Sequence, residues 1–155
     1  MNKHLTIYTA SPIDLGSGPS NWRRLLVEEL QNLKRTAVFF DPSKAYIHTF
    51  MGVRDLGRSR YIENMNRFAL NNANIIIACI PKTIATIGTP IEIEFAHTTV
   101  KTILLVTDIE PGTSVYLDNR IPLDNWFWCD DLKNESSLRK SLTEVAAWLD
   151  HNYSQ

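Results

Sequence analysis

The chain has 155 residues and a mass of 17.7 kDa, which leaves room for one domain, so residues 1–155 are expected to form a single unit. Its 44% hydrophobic and 21% charged residues describe a globular protein and exclude disorder and collagen-like sequence. Lys+Arg at 16 against Asp+Glu at 17 gives a net charge of −1, so polymeric DNA or RNA is not an expected partner.

Leu5–Ala10 reads as a first strand, broken by the turn formers between Ser11 and Pro19. Ser20 stands where it would N-cap a helix from about Asn21 to Leu33, with Trp22, Leu25, Leu26, Leu30 and Leu33 on one face. Ala37–Phe40 is a second strand, stopped by Asp41-Pro42, and the stretch from Ser43 to Val53 reads as a long loop. Helical spacing returns from about Arg54 to Asn72, with Ile62, Met65, Phe68 and Ala69 facing inward. Asn74–Ile80 is nearly all apolar, the mark of a strand buried on both faces. After a loop from Pro81 to Gly88, Thr89-Pro90 opens a third helix with Pro at its first position. Thr102–Val106 is a fourth strand, and the stretch from Asp108 to Asn125 is irregular. Trp126–Cys129 is a fifth strand, and Ser136 or Ser137 begins a last helix ending near His151.

The alternation of strands and helices argues for an α/β protein with a parallel sheet covered on both faces. The runs Ile75–Ile80 and Ile103–Val106 are too short to span a bilayer, and no long apolar stretch follows Met1–His4. Neither a membrane segment nor a signal peptide is expected. Cys79 and Cys129 sit in strand-like runs and read as reduced core thiols, which fits a cytoplasmic protein better than a disulfide does. His4, His48, His97 and His151 lack metal-ligand spacing and no CxxC occurs, so no metal or other cofactor is expected.

Ligands of such sheets bind where the strands end at their carboxyl edge. Three loops qualify: those after Ala10 and Phe40, and the one from Pro81 to Gly88. The first holds Gly16-Ser17-Gly18 ahead of a helix N-terminus, either an ordinary tight turn or a cradle for an anion. The third leads into Gly88-Thr89-Pro90-Ile91-Glu92, which admits two readings. Thr89 and Glu92 can close a capping box, or Glu92 can project into the crevice as nucleophile or base. Glu94, two residues on, points to another side of the helix and is expected in solvent. Tyr46 and Phe50 lie in the second loop, where a base could stack or the core could take them. Trp126 and Trp128 alternate about Phe127, so one of the two faces is exposed or at an interface.

Together these pieces resemble the nucleoside 2-deoxyribosyltransferase family, which includes the nucleoside 5′-monophosphate N-glycosidases. The matching segments are Ile7-Tyr8-Thr9-Ala10-Ser11-Pro12-Ile13-Asp14, the run from Glu63 through Asn72 to Ala78, and Gly88-Thr89-Pro90-Ile91-Glu92 with Ala96. The resemblance covers roughly residues 5 to 107. It implies a flavodoxin-like, doubly wound, five-stranded parallel sheet. It also implies double displacement, with Glu92 attacking C1′ of the sugar and Tyr8 holding the nucleophile, its phenol lowering the carboxyl pKa and keeping it ionised. The family's proton-donating Asp is Asn66 here, and an amide cannot deliver a proton. Asp14, with Asp55 behind it, is the substitute acid. The residue six before the nucleophile is acidic in the nucleoside transferases and a hydroxyl residue in the monophosphate hydrolases; here it is Thr86.

A 5′-phosphate is therefore expected on Gly16, Ser17, Gly18, Thr86, Gly88 and Thr89, with Lys82, Arg58 or Arg60 as further cations. The expected partner is a small nucleoside or nucleotide, the expected reaction cleavage of a nucleoside monophosphate's N-glycosidic bond. Base exchange between deoxynucleosides is the alternative, and a sensor with weak turnover, suggested by Asn66, is the other. A phosphoribohydrolase of the lysine-decarboxylase-like group would need paired glycines where Ala85-Thr86-Ile87 stands. The family also implies a homodimer or higher oligomer, in which Asn119, Asp124, Asn125 and Trp126 would complete a neighbour's pocket.

Overall fold

A computed structural model describes residues 4–12, 21–31, 37–43, 56–83, 88–99 and 101–153, with 56–62 described by backbone alone. Five strands form one sheet in the order β2-β1-β3-β4-β5, every neighbouring pair parallel. They are β1 (Leu5–Ala10), β2 (Ala37–Phe40), β3 (Ile75–Ile80), β4 (Thr102–Thr107) and β5 (Trp126–Trp128). The helices are α1 (Trp22–Leu30), α2 (Leu56–Asn72), α3 (Gly88–Thr98), the four-residue α4 (Val115–Asp118) and α5 (Glu135–Tyr153). The chain runs outward from β1 to β2, then crosses back to β3 on the other side. The strand order therefore reverses between β1 and β3, where an open α/β sheet leaves its ligand crevice.

Period-2 alternation assigns the two faces. Leu5, Ile7, Ile75, Ile77, Leu104 and Val106 pack under α1 and α5. Tyr8, Ala10, Ile76, Ala78, Ile103 and Leu105 pack under α2, α3 and α4. Every residue of β3 is buried, as expected of a strand covered on both sides.

Several boundaries depart from the sequence reading. The last helix starts at Glu135 because Asn134 caps it, its Oδ1 accepting from the N–H groups of Ser136 (3.0 Å) and Ser137 (3.1 Å). Asn21 occupies the cap position of α1, which ends at Leu30 rather than near Leu33; Ser20 lies outside the described residues. At the end of α2 Ala69 is buried as expected, together with Leu70 and with Ala73 just beyond the helix, but Phe68 is 71% exposed, because it falls one position off that buried face. The side chain of Ile62 is outside the described set.

Thr113, Ser114 and Gly112 give the irregular stretch local order. Gly112 takes φ +86°, where a side chain would be strained, and its N–H donates to Asp118 Oδ1 at 2.9 Å. Trp126 turns inward and donates from Nε1 to the Ile109 carbonyl at 3.2 Å, leaving Trp128 as the half-exposed indole. Cys79 and Cys129 are free and buried, and burial pushes the Cys79 thiol well above its ordinary value, so it stays neutral. Among the described residues no helix is long and apolar enough to cross a membrane.

Candidate active site

The parallel register places Tyr8 beside Phe40, and their rings stack at 5.5 Å with an interplanar angle of 15°. Held this way and fully buried, Tyr8 points its phenol toward α3 and donates to Glu92 Oε1 at 2.5 Å. A strand near the N-terminus and a helix 84 residues later meet in that one bond. Short O–H···O contacts of this kind are typical when the acceptor is charged.

The capping box is absent. The helix already begins at Gly88, so Thr89 lies inside its first turn, and the Glu92 carboxyl is engaged by Tyr8 instead. Thr89 is 1% exposed and its Oγ1 has no partner among the described residues. Ser11 Oγ, just past the end of β1, is buried and unpartnered in the same sense. Both hydroxyls stand where β1 and β3 lead toward the strand-order reversal, and a buried polar group without a partner among the described residues calls for an explanation.

Burial raises the Glu92 carboxyl to about 7, against the lowering effects of the Tyr8 hydrogen bond and the Arg23 charge. The sequence reading expected Tyr8 to keep the carboxylate ionised by lowering its pKa. The phenol does pull in that direction, but removal from water outweighs it.

Arg23, whose charge acts on Glu92, and its partner Asp41 are candidate site residues that pattern reading missed. Arg23 donates from Nε to Thr9 Oγ1 at 3.1 Å and pairs with Asp41 at 3.0 Å. Thr9 Oγ1 in turn donates to the Phe40 carbonyl at 3.1 Å. Burial pulls Arg23 below its ordinary value and Asp41 opposes that. The only sequence signal was an Arg next to the apolar stripe of α1, and an Asp at a strand's carboxyl end.

Asn66 is half-buried on α2, one turn before the buried Ala69 and Leu70. Its Oδ1 is buried and has no partner among the described residues. Glu94 is not free in solvent either; it pairs with Arg120. Among the described residues, a Cβ added to Gly88 would meet no heavy atom within 4 Å. Lys82 lines a separate groove of about 230 Å³ with Asp108, Asp130, Asp131 and Lys133 at the ends of β3 to β5. Asp14, Gly16, Ser17, Gly18, Thr86, Tyr46, Phe50 and Asp55 lie outside the described residues, as do the side chains of Arg58 and Arg60. Asn119 and Asp124 are exposed, Asn125 is half-buried, and Trp126 packs within its own core. No group of three or more His, Cys, Asp or Glu among the described residues is arranged to hold a metal ion.

No family model and no curated protein matches the sequence. Solved structures do. The 2-deoxyribosyltransferase of the psychrotolerant bacterium Bacillus psychrosaccharolyticus aligns with a TM-score of 0.59 at 14% identity, over 86% of this chain and 95% of that one. The chain shares its fold with a 2-deoxyribosyltransferase. A conserved protein from Enterococcus faecalis V583 aligns with a TM-score of 0.54 at 15% identity, over 92% of this chain and 88% of that one. At such identities the likeness establishes the doubly wound sheet, and the chemistry has to be argued from the side chains.

Proposed function

We propose that this protein is an enzyme that cleaves the N-glycosidic bond of a nucleoside 5′-monophosphate, with Glu92 as nucleophile. The observation that carries the reading is the Tyr8–Glu92 hydrogen bond at the crevice between β1 and β3. A Glu92 oxygen attacks C1′, the C1′–N bond breaks, and its electron pair leaves with the base. Water then attacks C1′ from the opposite side, gives its proton to the carboxylate left when the acid has protonated the base, and releases the sugar phosphate and the free Glu92 carboxylate. Tyr8 fixes which carboxyl oxygen is free to attack. The departing base needs a proton that Asn66 cannot supply, and Asp14 is the acid assigned to that task.

Thr86, Ser17, the backbone of Gly16 and Gly18, and the first turn of α3 with Gly88 and Thr89 are assigned to the phosphate. The buried, orphaned Thr89 hydroxyl supports an anion or hydroxyl-bearing ligand at this turn. Base exchange between deoxynucleosides is the second reading, favoured by the fold shared with a 2-deoxyribosyltransferase described as a biocatalyst for nucleoside synthesis. A homodimer or larger homo-oligomer in the cytoplasm completes the proposal.

The test is incubation with a panel of deoxynucleosides and their monophosphates, followed by chromatography for free base. Monophosphates are expected to be preferred at least about tenfold in kcat/KM, and Thr86→Val to erode that preference. Preference for nucleosides, with Thr86→Val harmless, moves the protein to base exchange. Binding at micromolar concentration without cleavage makes it a sensor.

A further inference from the structure

We propose that Tyr116 is a positioning residue for Glu92, clasping the first turn of α3 from the side opposite Tyr8. Tyr116 donates its phenol proton to the Pro90 carbonyl. The Arg120 guanidinium lies 4.1 Å from the centre of the Tyr116 ring, donates from Nη1 to the Tyr116 carbonyl at 3.2 Å, and pairs through Nε with Glu94. Pro90, Tyr116, Arg120 and Glu94 thus form a closed ring of contacts between α3 and the stretch formed by α4 and the residues just after it.

Helical geometry gives the ring its meaning. Pro90 and Glu94 are four residues apart and share a face, while Glu92 is two residues from each, about 200° around the helix. Tyr8 therefore grips one side of the turn and the Tyr116–Arg120 pair the other. The anchor is itself fixed. Ser114 caps α4, Gly112 is tied to Asp118, and Leu117 and Ile121 are buried in the core. The Pro90 carbonyl, at the head of a helix, does not need a tyrosine to satisfy it. Burial raises the Tyr116 phenol, which keeps it a donor across the neutral range.

The inference rests on Glu92 being the reacting carboxylate, since a helix turn held from two sides matters most for a group that must be aimed. A misplacement of about 1 Å can reduce a rate by roughly 100-fold. Groups that face the Glu92 carboxyl from packed elements are Tyr8 on β1 and Arg23 on α1, the latter paired with Asp41. Glu94, on the same helix, is turned away and paired.

The experiment compares wild type with Tyr116→Phe and Glu94→Gln, in two measurements. One is base release, split into kcat and KM. The other is an NMR titration of carboxyl-labelled glutamate, with Glu92 assigned by the signal lost in Glu92→Gln. Expected for Tyr116→Phe are a kcat lower by about tenfold, KM within about twofold, and a Glu92 midpoint shifted upward as the Tyr8 bond loosens. Glu94→Gln, which slackens Arg120 without touching Pro90, shifts the same two quantities in the same direction by less. An unmoved Glu92 midpoint overturns the clasp, even if kcat falls, because the loss then arises elsewhere. If wild type releases no base from any substrate while Tyr116→Phe still shifts the midpoint, the clasp stands and the enzymatic reading falls.

Discussion

A carboxyl group attacks carbon only when ionised, and Glu92 is held where ionisation is disfavoured. Burial raises it from the ordinary 4.5 to about 7, with Tyr8 and Arg23 pulling back. The linkage has a definite sign. A carboxyl raised on folding binds its proton more tightly in the native state, so its contribution to stability is complete below about pH 4.5. That contribution is lost as pH rises through about 7. Glu92→Gln is therefore expected to stabilise the protein by about 1–3 kcal/mol at pH 8 and by much less near pH 4, measured by urea unfolding. The same change is expected to abolish base release, by on the order of 10³-fold or more. Equal stability of the two proteins at pH 8 would mean that the carboxyl is not strained. The wild-type kcat should rise with pH through a limb near 7 as Glu92 loses its proton.

Thr89 makes a parallel case. Its buried hydroxyl lacks a partner among the described residues, a condition that costs about 1–3 kcal/mol. Thr89→Val, which removes the hydroxyl at nearly constant shape, is expected to raise thermal stability while weakening substrate binding by about tenfold. Lower stability with unchanged binding would show the hydroxyl to be structural.

At the scale of elements, α1 and α5 are joined on their outer faces by charge as well as by Leu25, Leu26, Leu142 and Val145 beneath. Arg139 reaches Glu29 at 2.8 Å, Glu28 at 3.0 Å and Glu135 at 3.2 Å, and Arg24 pairs with Glu28. The pairing with Arg139, then Arg24, holds Glu28 below the usual carboxylate value. That contribution is present at neutral pH and lost as pH falls through the acidic range. Exposed networks are weak and screened by salt. Arg139→Met should thus lower the melting temperature by no more than a few degrees at low ionic strength, and the difference should shrink in 1 M salt. A loss that does not depend on salt would assign the effect to packing of the arginine stem.

At the scale of the molecule, the α2–α3–α4 side leaves Phe68, Ile91, Val115 and Leu123 exposed, and the sheet edge leaves Trp128 half-exposed. Isolated exposed apolar residues are ordinary, but several on one side favour association. Light scattering at micromolar concentration is expected to report a dimer or larger assembly, with Phe68→Glu shifting it toward monomer. A monomeric wild type would refute the oligomer and leave each crevice to be completed by its own chain.

The alternation of apolar runs and amphipathic stretches was sufficient for the α/β class, because burial on both faces and burial on one leave different periods in the chain. It identified β3 and β4 closely, while the motif resemblance singled out Tyr8 and Glu92, which the fold joins by a hydrogen bond. The motif reached no further, because the remaining site residues carry no periodic signal. Local spacing allowed Thr89 and Glu92 a capping box; the decision went to Tyr8, which only the fold brings within 2.5 Å. Arg23, Asp41, Tyr116 and Arg120 look like surface residues when read along the chain. Arg23 meets Thr9 and Asp41, Tyr116 meets Pro90, and Arg120 meets Glu94, as far as 26 residues away, at strand ends and helix turns that become neighbours only when the sheet closes. Hydrophobic pattern is written locally because each residue meets water or core on its own. Charge pairing and pKa are not, because they belong to distances between groups that only the tertiary structure sets.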